Sequence, residues 1–218
     1  MVWWQIVLIV IVSYFMGNIS FSRFLAKTKK QDITKLGSGN AGSTNVLRNF
    51  GFKFGVLNLV LDILKGFIPS FLAYKIFGDN LVYLYIAGIS VMLGHIYPAV
   101  FKFKGGKGIA SMLGVFLAAD PIVTLIVIVI AAISWLIFKY GSIASFICVT
   151  ALTVYEGIKA KSLLGNEPRI VCLLLFIIFC LTWYAHRSNI ERLLCGKESK
   201  VSLIKKTKKQ IKQKSKQN

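Results

Sequence analysis

Acidic residues are scarce in this chain: eight Asp and Glu stand against 27 Lys and Arg among 218 residues. A hard-cation site needs clustered carboxylates, and a chain this poor in acids predicts no metal site. Cysteine is sparse too. Cys148, Cys172, Cys180 and Cys195 have no CxxC or other ligand spacing, and three of them lie in apolar runs. Packing roles follow, with no disulfide or metal framework. Charged residues of both signs make up only 16% of the chain, whereas 56% is hydrophobic. Long uncharged runs at that composition mark an integral membrane protein. The first run, from Trp3, has no Lys or Arg before it. A secretory signal carries a basic leader, so this run reads as a retained first span.

The apolar runs cover 3–15, 54–77, 81–100, 107–138, 141–158 and 168–185. At ~1.5 Å per residue, 107–138 would reach ~48 Å against a hydrocarbon core of ~30 Å, so it is not one span. Asp120-Pro121 supplies the break, an N-cap followed by Pro at the first helical position. The helix from Ile109 to Ala119 is then short and belongs beside a protein cavity more than in lipid. An all-α integral membrane protein with seven transmembrane helices is expected. Asp62 and Lys65 stand at i, i+3 spacing in the second run and are expected to pair inside the bundle.

The net charge of +19 first suggests nucleic acid as a partner. Its placement argues for anionic lipid instead, because the basic residues sit beside apolar spans. Positive charge arrives only after the first span, which puts the N-terminus outside and the next loop inside. With seven helices the C-terminus is cytoplasmic. Twenty-two of the 27 basic residues then fall on the cytoplasmic side: seven in 23–53, three in 102–107, one at 139 and eleven from 187 onward. Residues 157–169 run mildly against this rule. Residues 199–218 form a Lys/Gln/Ser tail, expected to be solvated, disordered and attracted to the membrane.

Three polar segments share the predicted cytoplasmic face: 35–48, 95–108 and 186–192. The middle one lies in GHIYPAVFKFKGGKGIA, residues 94–110. Glycines at 105, 106 and 108 free the backbone to approach a ligand closely, and a helix follows at Ile109. Backbone N–H groups, a helix N-terminus and Lys107 together make an anion site. It is not a Walker A loop, because position 101 is Phe and position 108 is Gly. By itself the segment reads equally well as a positive-inside loop that contains glycine. Taken together, the three segments are cationic and acid-poor, which suits phosphate. The residues thus reach a membrane-embedded enzyme or carrier for a phosphorylated small molecule or lipid.

GSGNAGSTNVLR (37–48), GHIYP with FKGGKGIA (94–110) and HRSNIERL with GKE (186–198) resemble, in order, the three motifs of the bacterial acyl-phosphate:glycerol-3-phosphate acyltransferases. The resemblance implies a membrane-embedded acyltransferase domain over 1–198, in the bacterial cell membrane, with its site on the cytoplasmic face. It implies transfer of a fatty acyl group from acyl-phosphate to glycerol 3-phosphate, giving lysophosphatidic acid and phosphate, without a cofactor. It places Ser38 at the reacting centre, within the motif that holds Asn40, and Thr44, Asn45 and Arg48 at phosphate-binding positions. Lys107 with Gly105, Gly106 and Gly108 matches the phosphate loop, and Lys104 is a second cation there. His186 matches the essential histidine, and Asn189 belongs to its motif. His95 contacts substrate or holds the loop. Without the resemblance, Ser38 reads as a turn cap and His186 as a pin for the last helix.

An His-x-x-x-x-Asp base dyad does not fit, because position 100 is Val and position 191 is Glu. No Ser-His-acid set is evident. Catalysis is expected to rest on positioning and charge stabilisation, with an already activated donor. The competing reading is a transporter or flippase for a phosphorylated solute or lipid. The absence of a repeat between the halves, and the polar motifs on one membrane face, weigh against it.

Overall fold

The computed structural model describes residues 2–162 and 167–200. Among the described residues ten α-helices run in chain order: α1 Trp3–Asn18, α2 Phe21–Thr28, α3 Ser43–Phe50, α4 Phe52–Ile76, α5 Leu81–Ile96, α6 Ile109–Ala119, α7 Pro121–Phe138, α8 Gly141–Ala160, α9 Glu167–Ala185 and α10 Arg187–Leu194. There is no strand among the described residues. Each of the seven expected apolar helices is present. Six of the helical segments are long and apolar enough to cross a membrane; α6, with 11 residues, is shorter. Most of the expected tail, 201–218, lies outside the described residues.

The α6–α7 break forms as the sequence predicts. Asp120 caps α7, its carboxylate accepting from the Val123 N–H at 3.2 Å, and Pro121 takes the first helical position. Helix α7 turns Ile122, Leu125, Ile126, Val129, Ile133 and Leu136 outward, a stripe at helical spacing that suits lipid. By contrast, Ser111 to Phe116 of α6 are all buried. A short helix leaves its terminal peptide groups at bundle depth, so it persists only where protein surrounds it.

Small residues set the two closest crossings. A Cβ on Gly17 of α1 would strike the Val91 carbonyl of α5, and one on Gly94 the Tyr14 carbonyl. Between α4 and α6, Gly66 faces the Ser111 carbonyl and Gly114 the Ile63 carbonyl in the same way. Lipid tails are as apolar as leucine, so helices gain by backbone approach where side chains are missing. The expected Asp62–Lys65 pair is present at 2.9 Å, both residues buried. These crossings pair α1 with α5 and α4 with α6, α4 also packs on α5, and the N-terminal end of α6 lies near α3 and α10.

Candidate active site

A cavity of about 280 Å³ opens where α3, the N-terminus of α6, the start of α8 and α10 converge. Its lining takes in Ser38, Asn40, Thr44, Asn45, Arg48, His95, Lys107, Gly108, His186 and Asn189. Those ten of the thirteen expected site residues come from segments up to about 150 positions apart in sequence. The other three, Lys104, Gly105 and Gly106, lie outside the lining.

The middle loop explains why. It folds back on the end of α5, where Gly105 N–H donates to the Ile96 carbonyl at 3.1 Å and Gly106 N–H to the His95 carbonyl at 3.0 Å. Two N–H groups expected to face phosphate are therefore spent inside the loop. Both glycines are needed for the close approach: a Cβ at 105 would meet the His95 carbonyl, and one at 106 the His95 Nε2. Lys104 is exposed, and its carbonyl accepts from Arg23 Nη2 at 2.6 Å, which ties the loop to α2. Gly108, at φ 84°, is the N-cap of α6 and has no capping side chain. Gly108, Ile109 and Ala110 border the cavity, so the open end of α6 presents its first-turn N–H groups there.

Asn45 is a structural clamp for the first segment. It is 1% exposed; its Nδ2 donates to the Ile33 and Leu36 carbonyls, and its Oδ1 accepts from the Ser38 N–H at 3.1 Å. Gly37, at φ 54°, lets the chain pass over that amide, because a Cβ there would strike Asn45 Oδ1. The result is an exposed Ser38 on a held backbone. Arg48, one turn along α3 from Thr44, donates to the Ser199 carbonyl at 3.0 Å.

His186 ends α9 and is 3% exposed. Its Nδ1 lies 2.9 Å from the Thr182 carbonyl, which fixes the proton on Nδ1 and leaves Nε2 as the acceptor. Burial, then the nearby Lys107 charge, holds its pKa down at about 4, so the ring is neutral near pH 7. Lys107 donates to Asn189 Oδ1. Burial and then the positive Arg192 lower the Lys107 pKa to about 8, against a smaller upward pull from Glu198. Arg48 is also lowered, by burial first.

Among the other lining residues, Ser142, Arg192 and Glu198 were not expected at the site, and Asp62 was expected only to pair with Lys65. Glu198 accepts from Arg192 Nε and Asn189 Nδ2 at 2.7 Å each, and from Ser142 Oγ at 3.3 Å. Burial raises its pKa, but these bonds outweigh it and keep the carboxyl below its ordinary value. Arg192 and Glu198 were inside the third motif, and only their side-chain directions were illegible. Three cations, Arg48, Lys107 and Arg192, thus line the cavity with two carboxylates, Glu198 and an Asp62 already paired with Lys65.

A second space of about 320 Å³ joins this cavity. It shares Ser43, Thr44, Leu59, Ile109, Gly141 and Ser145 with it and continues between α4, α6, α7 and α8 over Val56, Leu113, Ile128, Ala131, Trp135 and Cys148. A cationic chamber therefore lies directly beside an apolar groove. The pair suits a molecule with a phosphate at one end and a hydrocarbon chain at the other.

The profile of the glycerol-3-phosphate acyltransferase family matches residues 7–196. Proteins of that name resemble the chain closely. One from Aquifex aeolicus (strain VF5) is 40% identical over 190 residues, covering 87% of this chain and 96% of its own. One from Clostridioides difficile (strain 630) is 39% identical over 200 residues, covering 89% and 95%. A crystal structure of an integral membrane glycerol 3-phosphate acyltransferase, in its glycerol 3-phosphate form, superposes with a TM-score of 0.82 at 39% identity, covering 90% of this chain and 96% of that one. Its lysophosphatidic acid form gives 0.81.

Proposed function

The chain belongs to the glycerol-3-phosphate acyltransferase family, and from that premise we propose that acyl-phosphate is its donor and the cavity its active site. It is an integral membrane enzyme that transfers an acyl group to glycerol 3-phosphate. One observation carries the finer reading: the three-cation chamber shares a wall of six residues with the apolar groove. The chamber accommodates phosphate, and the groove takes the acyl chain of the donor and then of the product.

Arg48 and Lys107 clamp phosphate, the first by its planar fork and the second as a point charge. The open N-terminus of α6 adds N–H donors. Ser38 and neutral His186 orient the glycerol hydroxyl. That hydroxyl attacks the acyl carbonyl carbon, the new ester C–O bond forms, and the C–O bond to phosphate breaks. The leaving phosphate carries the proton of the hydroxyl away on its own oxygen. No acyl-enzyme forms in this scheme. Thr44 and Asn40 border the chamber, Asn189 holds Lys107, and Asn45, Gly105 and Gly106 act by shaping the loops.

The same reading makes α6 the seventh membrane-embedded helix. The N-terminus is then outside, and the C-terminus and site face the cytoplasm, as the distribution of 22 basic residues favours. Purified protein given glycerol 3-phosphate and acyl-phosphate should release one phosphate per lysophosphatidic acid. Mass spectrometry after mixing with acyl-phosphate alone should find unmodified protein. A stable acyl adduct on Ser38, or efficient use of acyl-CoA instead, would overturn direct transfer.

A further inference from the structure

One buried polar cluster adjoins the chamber and takes no part in this chemistry. It centres on Asp62, in the middle of α4 and 2% exposed. Asn58, Asp62 and Lys65 stand at i, i+4 and i+7 on one face of the helix. Asp62 Oδ2 accepts from Asn58 Nδ2 at 2.7 Å, and the same amide donates to Ser43 Oγ at 2.8 Å. Asp62 Oδ1 lies 2.9 Å from Lys65 Nζ and 3.7 Å from His95 Nδ1. Lys65 in turn donates to the Ile19 carbonyl at 2.7 Å and the Gly17 carbonyl at 3.4 Å, at the end of α1. One carboxylate therefore ties α4 to α3 through Asn58 and to α1 through Lys65, and it faces His95 of α5. Apolar side chains of the same volume often hold a bundle at least as well as a buried ion pair. Packing alone therefore does not account for this cluster. Nor is Asp62 a phosphate ligand, because it is an anion beside an anion site.

We propose that Asp62 is a positioning residue for the phosphate clamp, holding Arg48 and Lys107 in register from beneath. Through Asn58 it fixes Ser43, the first residue of α3, and so the helix that carries Arg48. On its other side it faces the His95 ring at 3.7 Å, a contact and not a hydrogen bond, and His95 supports the glycine loop: Gly106 bonds the His95 carbonyl and packs against His95 Nε2, and Lys107 follows directly. Two cations on two separate elements must meet one phosphate, and an error of ~1 Å in such a clamp is costly. The inference rests on Arg48 and Lys107 being the phosphate ligands.

The test uses full-length enzyme in detergent, with KM measured separately for each substrate, and kcat and melting temperature alongside. Asp62→Asn should raise the glycerol 3-phosphate KM about tenfold and move the acyl-phosphate KM less. In a Lys107→Ala background the same change should add little, because its target is already gone. Ser43→Ala, which cuts only the far end of the chain, should raise the same KM about threefold. A merely structural role would lower the melting temperature and leave the KM values alone. Folded Asp62→Asn enzyme with unchanged KM, or with factors that multiply fully in the Lys107→Ala background, overturns the inference. Should Asp62→Asn not fold, Ser43→Ala decides: an unchanged KM overturns it. Arg48→Ala and Lys107→Ala that leave kinetics untouched overturn the clamp assignment itself, and the inference with it. Heavy losses there beside a neutral Asp62→Asn overturn only the role of Asp62.

Discussion

Two polar clusters lie at opposite ends of α6, and they differ in charge balance. At the far end, Asp120 accepts from Lys159 Nζ at 2.9 Å and from the Tyr155 hydroxyl at 3.2 Å. Glu156 accepts from the Tyr85 hydroxyl at 3.1 Å and lies 3.9 Å from Lys159. Two carboxylates there meet one ammonium and two hydroxyls, and the cluster ties α5, α7 and α8 together. At the near end, Arg48, Lys107 and Arg192 surround a cavity with Glu198, and the second carboxylate there, Asp62, is already paired with Lys65. A cluster whose carboxylates are all satisfied by donors from neighbouring helices holds those helices together. A cluster with a surplus of one sign, opening to a cavity, is built for a ligand of the other sign.

The comparison breaks most sharply at the near cluster. Lys107→Ala and Arg48→Ala should each lower kcat/KM about a hundredfold, the usual worth of a charge-stabilising contact at a transition state of ~3 kcal/mol. Steady-state phosphate release measures this, and a loss under fivefold for either would show that the surplus is not used. Both should retain the wild-type melting temperature to within a few degrees, because removing one of three like charges relieves repulsion.

A somewhat smaller effect follows from pH. In the proposed clamp Lys107 must be charged to hold phosphate, and with its pKa lowered to about 8 that charge is lost as pH rises through 8. The glycerol 3-phosphate KM should climb towards tenfold per unit above pH 8. Stability has the opposite sign. Between about 8 and the ordinary lysine value the folded enzyme binds fewer protons at Lys107 than the unfolded chain does. This group therefore makes stability rise with pH across that window. Lys107→Arg, which stays charged, should abolish the upper limb of the KM profile. A KM flat from pH 7 to 9.5 in the unchanged enzyme would contradict the assignment.

At the far cluster, Asp120→Ala removes the N-cap of α7 and should cost ~1 kcal/mol of stability, read as a lower melting temperature. Its kcat and KM values should stay within twofold of the parent enzyme. A tenfold kinetic loss there would erase the distinction between the two ends. The smallest effect is expected from deleting 201–218, which should change turnover in detergent less than twofold. A hundredfold loss would assign the tail to the site.

Much of the architecture was legible because its causes are local. Apolar run length located the membrane helices, and Asp120-Pro121 marked the α6–α7 break. The spacing of Asp62 and Lys65 predicted their pairing. Helices α2, α3 and α10 were not legible. Each has eight residues in a polar segment, too few for periodicity to stand out, and each is stabilised by docking more than by propensity. The Gly-Gly-Lys-Gly stretch shows how far a motif goes. Its anion-site character was readable, but not that two of its N–H groups bond the end of α5 instead.

By itself, then, the sequence determined an all-helical membrane chain with a cationic, acid-poor set of polar segments, and its three motifs pointed to the family. Run length, helix caps and charge placement are properties of neighbouring residues, so they survive without coordinates. Only the tertiary structure decided which groups meet. Lys107 reaches Asn189 across 82 positions, Arg48 reaches Ser199 across 151, and Asp62 stands between Ser43 and His95. Those pairings depend on where helices cross, and glycine contacts with facing carbonyls set the crossings. Spacing along one chain carries no record of such contacts, because their partners lie on other helices.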